Sequence, residues 1–307
     1  MQDAKPITIL QFGATGQLAR ALQRAASAQD GVRLHVLARQ DADFRRPEQV
    51  RDAVLGSGAI DLVVNATAYT AVDKAESEEV VAQAVNAESV GALAQACHAR
   101  GIGLVHVSTD YVFDGLKAAP YREDDPVHPL GAYGRSKRDG EQAIRAALAA
   151  HAILRTSWIY SADGTNFVKT MLRLGAERDE LRIVDDQHGA PTSTASLAQA
   201  VLAVARAMLR DPAPARFGTF HYADRGEVTW RGFAEAIFAQ CAASAGIKAR
   251  VVPIASADYP TAARRPLNSR LDCTKIERVY GIARPRWQDS LALVLDEIGI
   301  ARREGRT

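Results

Sequence analysis

The chain has 307 residues, a formal net charge of +2 at pH 7 and hydrophobic side chains at 47% of its positions. This length can bury a full core in one or two domains, and the near-neutral charge gives no reason to expect a nucleic-acid partner. The three cysteines are scattered, which excludes a disulfide framework, and the histidines lack HxH or HExxH spacing, which excludes a metal site. The sequence has no signal-peptide pattern and no long apolar run, so we expect a cytoplasmic protein without a membrane partner.

The chain opens with a strand, a glycine turn and a helix. A β-type run over residues 7–12 is followed by Gly13-Ala-Thr-Gly16 and then by a helical stretch. In this context Gly13 permits a tight turn, and Gly16 lets a pyrophosphate approach the free N–H groups of the helix. Ala19 stands where such turns usually have a third glycine. We therefore expect a dinucleotide to bind here.

The second strand, predicted over residues 33–38, leads into a segment that could contact the adenosine end of a dinucleotide. Arg39 follows the strand, where an arginine can hold a 2′-phosphate, which favours NADPH over NADH; a solvated loop arginine is the alternative. Asp43 and Phe44 could bracket an adenine, or they could form the entry to the helix that begins at Pro47.

The third and fourth strands are predicted over residues 61–65 and 104–107. After the third come the small residues Ala66 and Ala68, which would let a nucleotide lie against the backbone. A polar connection over 72–79 and a long amphipathic helix over 80–100 separate the two strands. Ser108, Thr109 and Asp110 follow the fourth strand, where ligands bind in parallel sheets. The hydroxyls of Ser108 and Thr109 could hydrogen-bond a substrate carbonyl. Alternatively, they only satisfy nearby backbone groups and Asp110 caps a turn.

Tyr133 and Lys137 lie four residues apart on a helix predicted to run to about residue 150, so both project from one face. An ammonium beside a phenol lowers the tyrosine pKa and gives a proton donor near neutral pH. The spacing alone is common, and a solvated helix face is the alternative. A fifth strand over 152–155 completes a doubly wound parallel sheet, Rossmann-like in class, whose carboxyl ends gather at one edge.

After residue 160 the pattern becomes mixed. We predict helices over 166–176, 194–210, 230–245 and 287–298, strands over 181–184, 220–222 and 250–254, and a frayed tail over 301–307. Residues 1–160, with 190–225 returning to them, are predicted to bind the dinucleotide, and 161–189 with 226–307 to form a smaller α/β substrate domain. Arg264 and Arg265 could hold a diphosphate or lie in a solvated loop.

The chain resembles the extended short-chain dehydrogenase/reductases and, within them, the dTDP-4-dehydrorhamnose reductase family. The resemblance runs nearly end to end. Its markers are FGATGQL at 12–18, NATAYTAVDKAE at 65–76, VSTDYVFDG at 107–115, Tyr133 with Lys137, RTSWIY at 155–160, NFVKTML at 166–172, DQHGAPT at 186–192 and RPLNSRLD at 265–272.

The resemblance implies transfer of a nicotinamide hydride to the C4 ketone of a dTDP-6-deoxy-4-keto-mannose in dTDP-rhamnose biosynthesis. It implies that Tyr133 donates the proton, that Thr109 bonds the same oxygen, and that Lys137 lowers the Tyr133 pKa and holds the nicotinamide ribose. The implied dinucleotide-binding residues are Gly13, Gly16, Gln17, Leu18, Arg39, Asp43, Phe44, Ala66, Ala68, Tyr69, Tyr133 and Lys137. The expected substrate-binding residues are Ser108, Thr109, Asp110, Trp158, Asn166 and Arg265.

Three alternatives stay open at this stage. A 4,6-dehydratase of this type has Thr-Asp-Glu after the fourth strand, whereas this chain has Thr109-Asp110-Tyr111 and lacks the carboxylate for elimination. The other two alternatives are an epimerase of the same fold and a regulatory subunit that binds NADP without catalysis. Some relatives bridge a dimer through a metal held by first-helix glutamates. Residues 20–23 here offer no carboxylate, so we expect a monomer or another homodimer.

Overall fold

A central sheet of six parallel strands organises the fold in the computed structural model, which describes residues 6–241 and 245–300. The strands, numbered along the chain, are β1 (Ile7–Phe12), β2 (Val32–Leu37), β3 (Leu62–Asn65), β4 (Gly103–Thr109), β5 (His151–Thr156), β6 (Ile159–Tyr160), β7 (Glu180–Val184), β8 (His188–Gly189), β9 (Thr192–Ser193), β10 (Gly218–His221), β11 (Val228–Thr229) and β12 (Arg250–Ile254). The main sheet has the order β10-β5-β4-β3-β1-β2. Winding reverses at β1, which confirms the doubly wound, Rossmann-like class.

Helices cover the sheet and build the second half of the chain. They are α1 (Gln17–Ser27), α2 (Pro47–Leu55), α3 (Val72–Ala75), α4 (Glu79–Gln83), α5 (Ser89–Arg100), α6 (Ala132–Ala147), α7 (Phe167–Glu177), α8 (Thr194–Arg210), α9 (Trp230–Gln240), α10 (Thr274–Tyr280) and α11 (Trp287–Ile298). Pro47 starts α2 as predicted, since its missing N–H costs nothing in a first turn. The predicted bounds of α8, α11, β1 and β12 are confirmed.

The helix predicted over 80–100 is confirmed in extent, but it is not α-helical throughout. The polar connection before it contains α3, and between α4 and α5 the chain widens into a π-helical turn at Ala84–Glu88. Asn86 in this turn bonds the backbone of Tyr69 in both directions, at 2.9 and 3.0 Å. A Cβ on Gly140 of α6 would lie 2.0 Å from the Asn86 carbonyl oxygen, so α6 packs directly on that backbone. These tertiary contacts account for the π-helical turn, and periodicity could not show it.

Two further boundaries differ from the predictions. Strand β4 continues to Thr109, so Ser108 and Thr109 lie within the strand. Helix α9 ends at Gln240, five residues before its predicted end. The rest of that prediction falls partly on residues 242–244, which lie outside the described residues, as do residues 1–5 and the tail predicted over 301–307.

Apolar clusters lie on both faces of the sheet and in the second half of the chain. On one face, Leu22 of α1 packs with Val201 of α8, so the helix over 194–210 lies against the first half of the fold. On the other face α2 and α5 contribute Val50 and Leu93. A separate cluster around Phe233 joins α7, α9 and α11. Within 6–241 and 245–300, no helix is both long enough and apolar enough to span a membrane.

Candidate active site

The glycine turn between β1 and α1 has the geometry that a dinucleotide phosphate requires. Gly13 has φ +98°, and a Cβ there would lie 3.0 Å from the Thr67 hydroxyl oxygen. Gly16 is the residue before α1, and a Cβ on it would meet nothing within 4 Å. No described side chain caps α1, so its first N–H groups face open space. This cradle fits an anionic diphosphate group.

The side chains next to the turn have structural contacts. Gln17 accepts hydrogen bonds from Ser161 and Asn166, both at 2.9 Å, and so ties the turn to the second half of the chain. Leu18 is buried in the core, and Ala19 is fully buried in place of the third glycine. The side chains of Gln17 and Leu18 are therefore engaged within the protein, while Ala19 serves packing.

The residues after β2 are arranged differently from the predicted adenine bracket. Phe44 packs edge-on against Phe12, with ring centroids 5.5 Å apart, and is buried in the core, so its ring is not a platform for a base. Asp43 is paired with Arg45 at 2.9 Å, and the hydrogen bond from this guanidinium lowers the Asp43 pKa. Arg39 lies exposed at the end of β2. The sequence reasoning missed Arg45, although its spacing of two from Asp43 suits such a contact.

Asn86 holds the loop after β3 against the π-helical turn. Ala66, Ala68 and Tyr69 are half-buried. The Tyr69 hydroxyl donates to Glu78 at 2.7 Å. The two bonds between Asn86 and the Tyr69 backbone give Asn86 a packing role.

Tyr133 lies in the first turn of α6, beside the end of β4. The helix start is anchored by Glu76, which accepts the Ala132 N–H at 2.8 Å. The Tyr133 side chain bonds the Thr109 hydroxyl, and Thr109 in turn donates to Asp110 at 3.0 Å. Burial raises the pKa of Asp110 to about 6, and the side chains of Ser269 and Thr109 oppose this shift. Thr109, Asp110 and Tyr133 therefore come together as predicted.

The predicted effect of Lys137 on Tyr133 is wrong for the ligand-free protein. Burial raises the Tyr133 pKa, and the charges that act on it come from Asp110 and Tyr111. Lys137 is fully buried, and its Nζ contacts the Val107 carbonyl at 2.8 Å and His106 Nε2 at 3.1 Å. Burial lowers the Lys137 pKa to about 8. The amine lies in the layer between α6 and β4 and is bonded to groups other than the phenol.

Ser108 is corrected from a substrate ligand to a structural residue. Its hydroxyl donates to Glu141 at 2.6 Å, and Arg155 bonds both oxygens of that carboxylate at 2.9 and 2.7 Å. All three side chains are almost completely buried. Side chains of a strand alternate between its faces, so Ser108 points with His106 toward α6.

Trp158 lies just after the carboxyl end of β5 in a strained conformation. Its φ of +47° is in the left-handed region, which a bulky residue rarely adopts. Its ring stacks on Trp230 with centroids 3.6 Å apart, and a Cβ on Gly189 would come within 2.5 Å of it. Strain of this kind clusters at functional sites. The sequence reasoning missed Trp230, because no spacing links it to Trp158.

Asn166 and Arg265 have protein partners in this structure. Asn166 caps α7 by accepting the Lys169 N–H at 3.2 Å, and its amide donates to Gln17. Arg265 pairs with Asp73 at 2.8 Å. Asn166 thus positions the glycine turn against α7, while the half-buried Arg265 holds the Asp73 segment near Tyr111.

A glycine turn before α1 and a threonine, tyrosine and lysine around β4 and α6 lie at the carboxyl end of one doubly wound sheet. This combination defines a dinucleotide-dependent oxidoreductase of the short-chain dehydrogenase/reductase class.

Comparison with known proteins narrows the class to one family. A model of the RmlD substrate binding domain matches residues 7–300. A dTDP-4-dehydrorhamnose reductase of Sinorhizobium fredii is 46% identical, over 91% of this chain and 93% of that protein, and one of Escherichia coli is 42% identical, over 95% and 98%. The chain therefore belongs to the dTDP-4-dehydrorhamnose reductase family.

Solved structures agree with that membership. A dTDP-4-dehydrorhamnose reductase from Clostridium acetobutylicum superposes with TM-score 0.87 at 36% identity, covering 96% of this chain and 100% of the other. One from Bacillus anthracis, in complex with NADP, has TM-score 0.85 at 32% identity, covering 95% and 99%. A UDP-glucose 4-epimerase from Brucella ovis is 16% identical with TM-score 0.77 and shares the fold alone.

Proposed function

We propose that the protein reduces the C4 ketone of dTDP-4-dehydro-6-deoxy-L-mannose (dTDP-4-dehydro-L-rhamnose) to dTDP-L-rhamnose with NADPH. The observation that carries the proposal is that Tyr133 lies against Thr109, at the end of a strand in the same sheet as the strand that leads into the Gly13 cradle. Family membership supports the sugar. The reaction adds a hydride to the carbonyl carbon and a proton to its oxygen. It therefore consumes one NADPH and one proton and yields NADP⁺ and an alcohol.

NADPH, when bound, supplies the hydride, and the chain provides binding and the proton. Gly13, Gly16 and the first N–H groups of α1 would hold its diphosphate, and the loop over 66–69 would line it. Arg39 and Arg45, both exposed after β2, would hold a 2′-phosphate. The relative with bound NADP supports this cofactor. Replacing Arg39 with Ala should weaken NADPH binding more than NADH binding in a titration of each.

Tyr133 would act as the general acid. Its raised pKa keeps the phenol protonated at neutral pH, so a proton is available when negative charge builds on the sugar oxygen. Thr109 would bond the same oxygen. Lys137 lies one turn further along α6, and in its positively charged form it would stabilise the phenolate that Tyr133 becomes after giving up its proton. The sugar and diphosphate would lie against the side chains of Asp110, Trp158 and Arg265.

The proposed division of the chain into a cofactor-binding part and a substrate-binding part follows the apolar clusters. We propose that residues 1–160 with 190–225 bind the dinucleotide, and that 161–189 with 226–307 bind the nucleotide sugar. The packing of α8 on α1 and the place of β10 in the main sheet support the first part, and the separate cluster around Phe233 supports the second. Residues 20–23 lack a carboxylate, so a monomer or a homodimer without a bridging metal is proposed.

A coupled assay tests the function. dTDP-glucose is incubated with a 4,6-dehydratase and a 3,5-epimerase, this protein is added, and the loss of NADPH absorbance is followed. Consumption of NADPH with formation of dTDP-rhamnose is expected. Background consumption only, from a folded protein, would rule the proposal out.

A second substrate has one observation in its favour. A probable dTDP-4,6-dihydroxy-2-methyloxan-3-one 4-ketoreductase of Streptomyces antibioticus is 41% identical over 84% of this chain. Reduction of a different dTDP-linked 4-keto sugar is therefore the competing proposal. Leaving the epimerase out of the assay tests one such sugar, the unepimerised 4-keto product of the dehydratase, because only an enzyme that accepts this sugar would consume NADPH without the epimerase.

A further inference from the structure

A hydrogen-bonded chain of three buried side chains leads from the half-buried Thr67, in the loop after β3, to Lys137. The Thr67 N–H donates to Asn65 Oδ1 at 2.9 Å. Asn65 Nδ2 lies 3.0 Å from His106 Nδ1, and His106 Nε2 lies 3.1 Å from Lys137 Nζ. Asn65, His106 and Lys137 are each at most 1% exposed, so bulk water does not compete for these bonds.

The direction of these hydrogen bonds is set at the Thr67 end. A backbone N–H can only donate, so the Asn65 atom that faces it must be the oxygen. The other end of the amide, which faces His106, is therefore an NH₂ group and a donor. His106 Nδ1 must accept from it, and a neutral imidazole with an unprotonated Nδ1 carries its proton on Nε2.

That proton points at Lys137. Nε2–H is a donor, and an ammonium has three donors and no acceptor. The contact is a hydrogen bond only when Nζ is an uncharged amine that accepts with its lone pair, while one of its own hydrogens goes to the Val107 carbonyl. A charged Lys137 would leave two donors facing each other within about 3 Å, either at His106 or, after rotation of the amide, at Thr67.

We propose that His106 is a positioning residue whose Nε2–H tautomer, dictated by Asn65, favours the neutral amine of Lys137 over the ammonium in the ligand-free protein. The proposal rests on the proposed function for its meaning in catalysis. A neutral Lys137 places no charge beside Tyr133, so the phenol keeps its proton until ligands arrive. The ammonium that stabilises a phenolate then forms when the Lys137 amine takes up one proton from solvent.

The charged groups around Lys137 agree with this arrangement. Tyr133 and Glu141 lie one turn before and after it on α6, His106 faces it from β4, and the π-helical turn presents the uncharged Asn86. Glu141 favours the ammonium, but Arg155 of β5 binds both oxygens of its carboxylate at 2.9 and 2.7 Å. Burial of Lys137 acts in the opposite sense and lowers its pKa.

The tautomer can be measured directly. In ¹⁵N-histidine-labelled, ligand-free protein at pH 9, above the Lys137 pKa of about 8, a long-range ¹H–¹⁵N spectrum distinguishes Nε2–H from Nδ1–H and from imidazolium. The His106 signals are assigned by their loss in His106→Gln. We expect Nε2–H, with the Lys137 amine uncharged in a ¹³C-lysine titration. An Nδ1–H tautomer or an imidazolium would overturn the proposal.

Replacing Asn65 with Asp reverses the chain. One carboxylate oxygen still accepts from Thr67, and the other now accepts from Nδ1–H, so Nε2 becomes an acceptor for an ammonium. The tautomer should switch and the Lys137 titration midpoint should rise by about 1–3 pH units. Asn86→Asp is the control, because it adds a buried carboxylate beside α6 without contacting the imidazole and should leave the tautomer unchanged. An unchanged tautomer in a folded Asn65→Asp variant would also overturn the proposal.

This experiment is independent of activity. If the coupled assay shows no NADPH consumption while the Nε2–H tautomer is observed, the proposed function fails and the hydrogen-bond chain stands. If activity is present with the Nδ1–H tautomer, the reverse holds.

Discussion

Replacing Tyr133 with Phe should reduce turnover severely while the fold and cofactor binding persist. Thr109 cannot take over as the acid, because an aliphatic hydroxyl gives up its proton far less readily than a phenol. The full contribution of a positioned general acid, about 10²–10⁴-fold in kcat, should be lost. The ring contact with Tyr111, at a centroid distance of 5.6 Å, survives the substitution, so α6 should keep its place.

The loss of stability should be small. One hydrogen bond to Thr109 disappears, worth about 0.5–1.5 kcal/mol, and the remaining ring is still buried. kcat is measured in the coupled assay, NADPH binding by calorimetry and unfolding by urea titration. Retention of more than about a tenth of the wild-type kcat would contradict the assignment of Tyr133 as acid.

The matched control is Tyr121→Phe, which removes the same atom from a buried tyrosine elsewhere in the fold. The Tyr121 hydroxyl donates to Asp114 at 2.6 Å, and its ring stacks on Phe113. This variant should lose about 1–3 kcal/mol of stability, because the bond goes to a charged group, and should keep its turnover. A similar fall in kcat in both variants would point to a general packing defect instead of lost acid catalysis.

Three further predictions concern stability. Lys137→Met should increase the free energy of unfolding at pH 7 by about 1–3 kcal/mol, since the folded pKa of about 8 lies below the unfolded value. In the wild type, the destabilisation caused by the buried Lys137 ammonium should fade as pH rises from about 8 to 10, because only the unfolded chain then keeps the proton. Flat stability over that range in urea titrations would count against this prediction. Glu141→Gln should cost about 3–5 kcal/mol by leaving Arg155 buried and unpaired, whereas exposed pairs such as that between residues 173 and 177 should cost less than 1 kcal/mol by the same measurement. Burial opposes the lowering of the Glu141 pKa but is outweighed by the Arg155 bond, so this stability is present above the unfolded pKa near 4 and lost as pH falls; equal cost at pH 3 and 7 would contradict it. Gly13→Ala should lower the melting temperature and abolish NADPH binding, because φ of +98° strains any side chain and its Cβ would crowd Thr67; unchanged binding by calorimetry would refute the cradle.

Much of this protein follows from local sequence pattern. The alternation of strands and helices predicted a doubly wound sheet, and the strand–glycine–helix context predicted the phosphate cradle at Gly13. The spacing of Tyr133 and Lys137 placed them on one helix face beside Thr109. These features depend on short-range rules of turn, helix and strand, so they can be inferred without knowing what packs against what.

Tertiary contacts decided the rest. Whether Ser108 or Thr109 serves the site depends on which face of β4 meets α6, and that face carries Ser108 toward Glu141. The stack of Trp158 on Trp230 joins residues far apart in the chain, and no spacing encodes it. The charge state of Lys137 depends on burial and on hydrogen-bond direction through His106, since a pKa is set by surroundings that only the folded chain assembles.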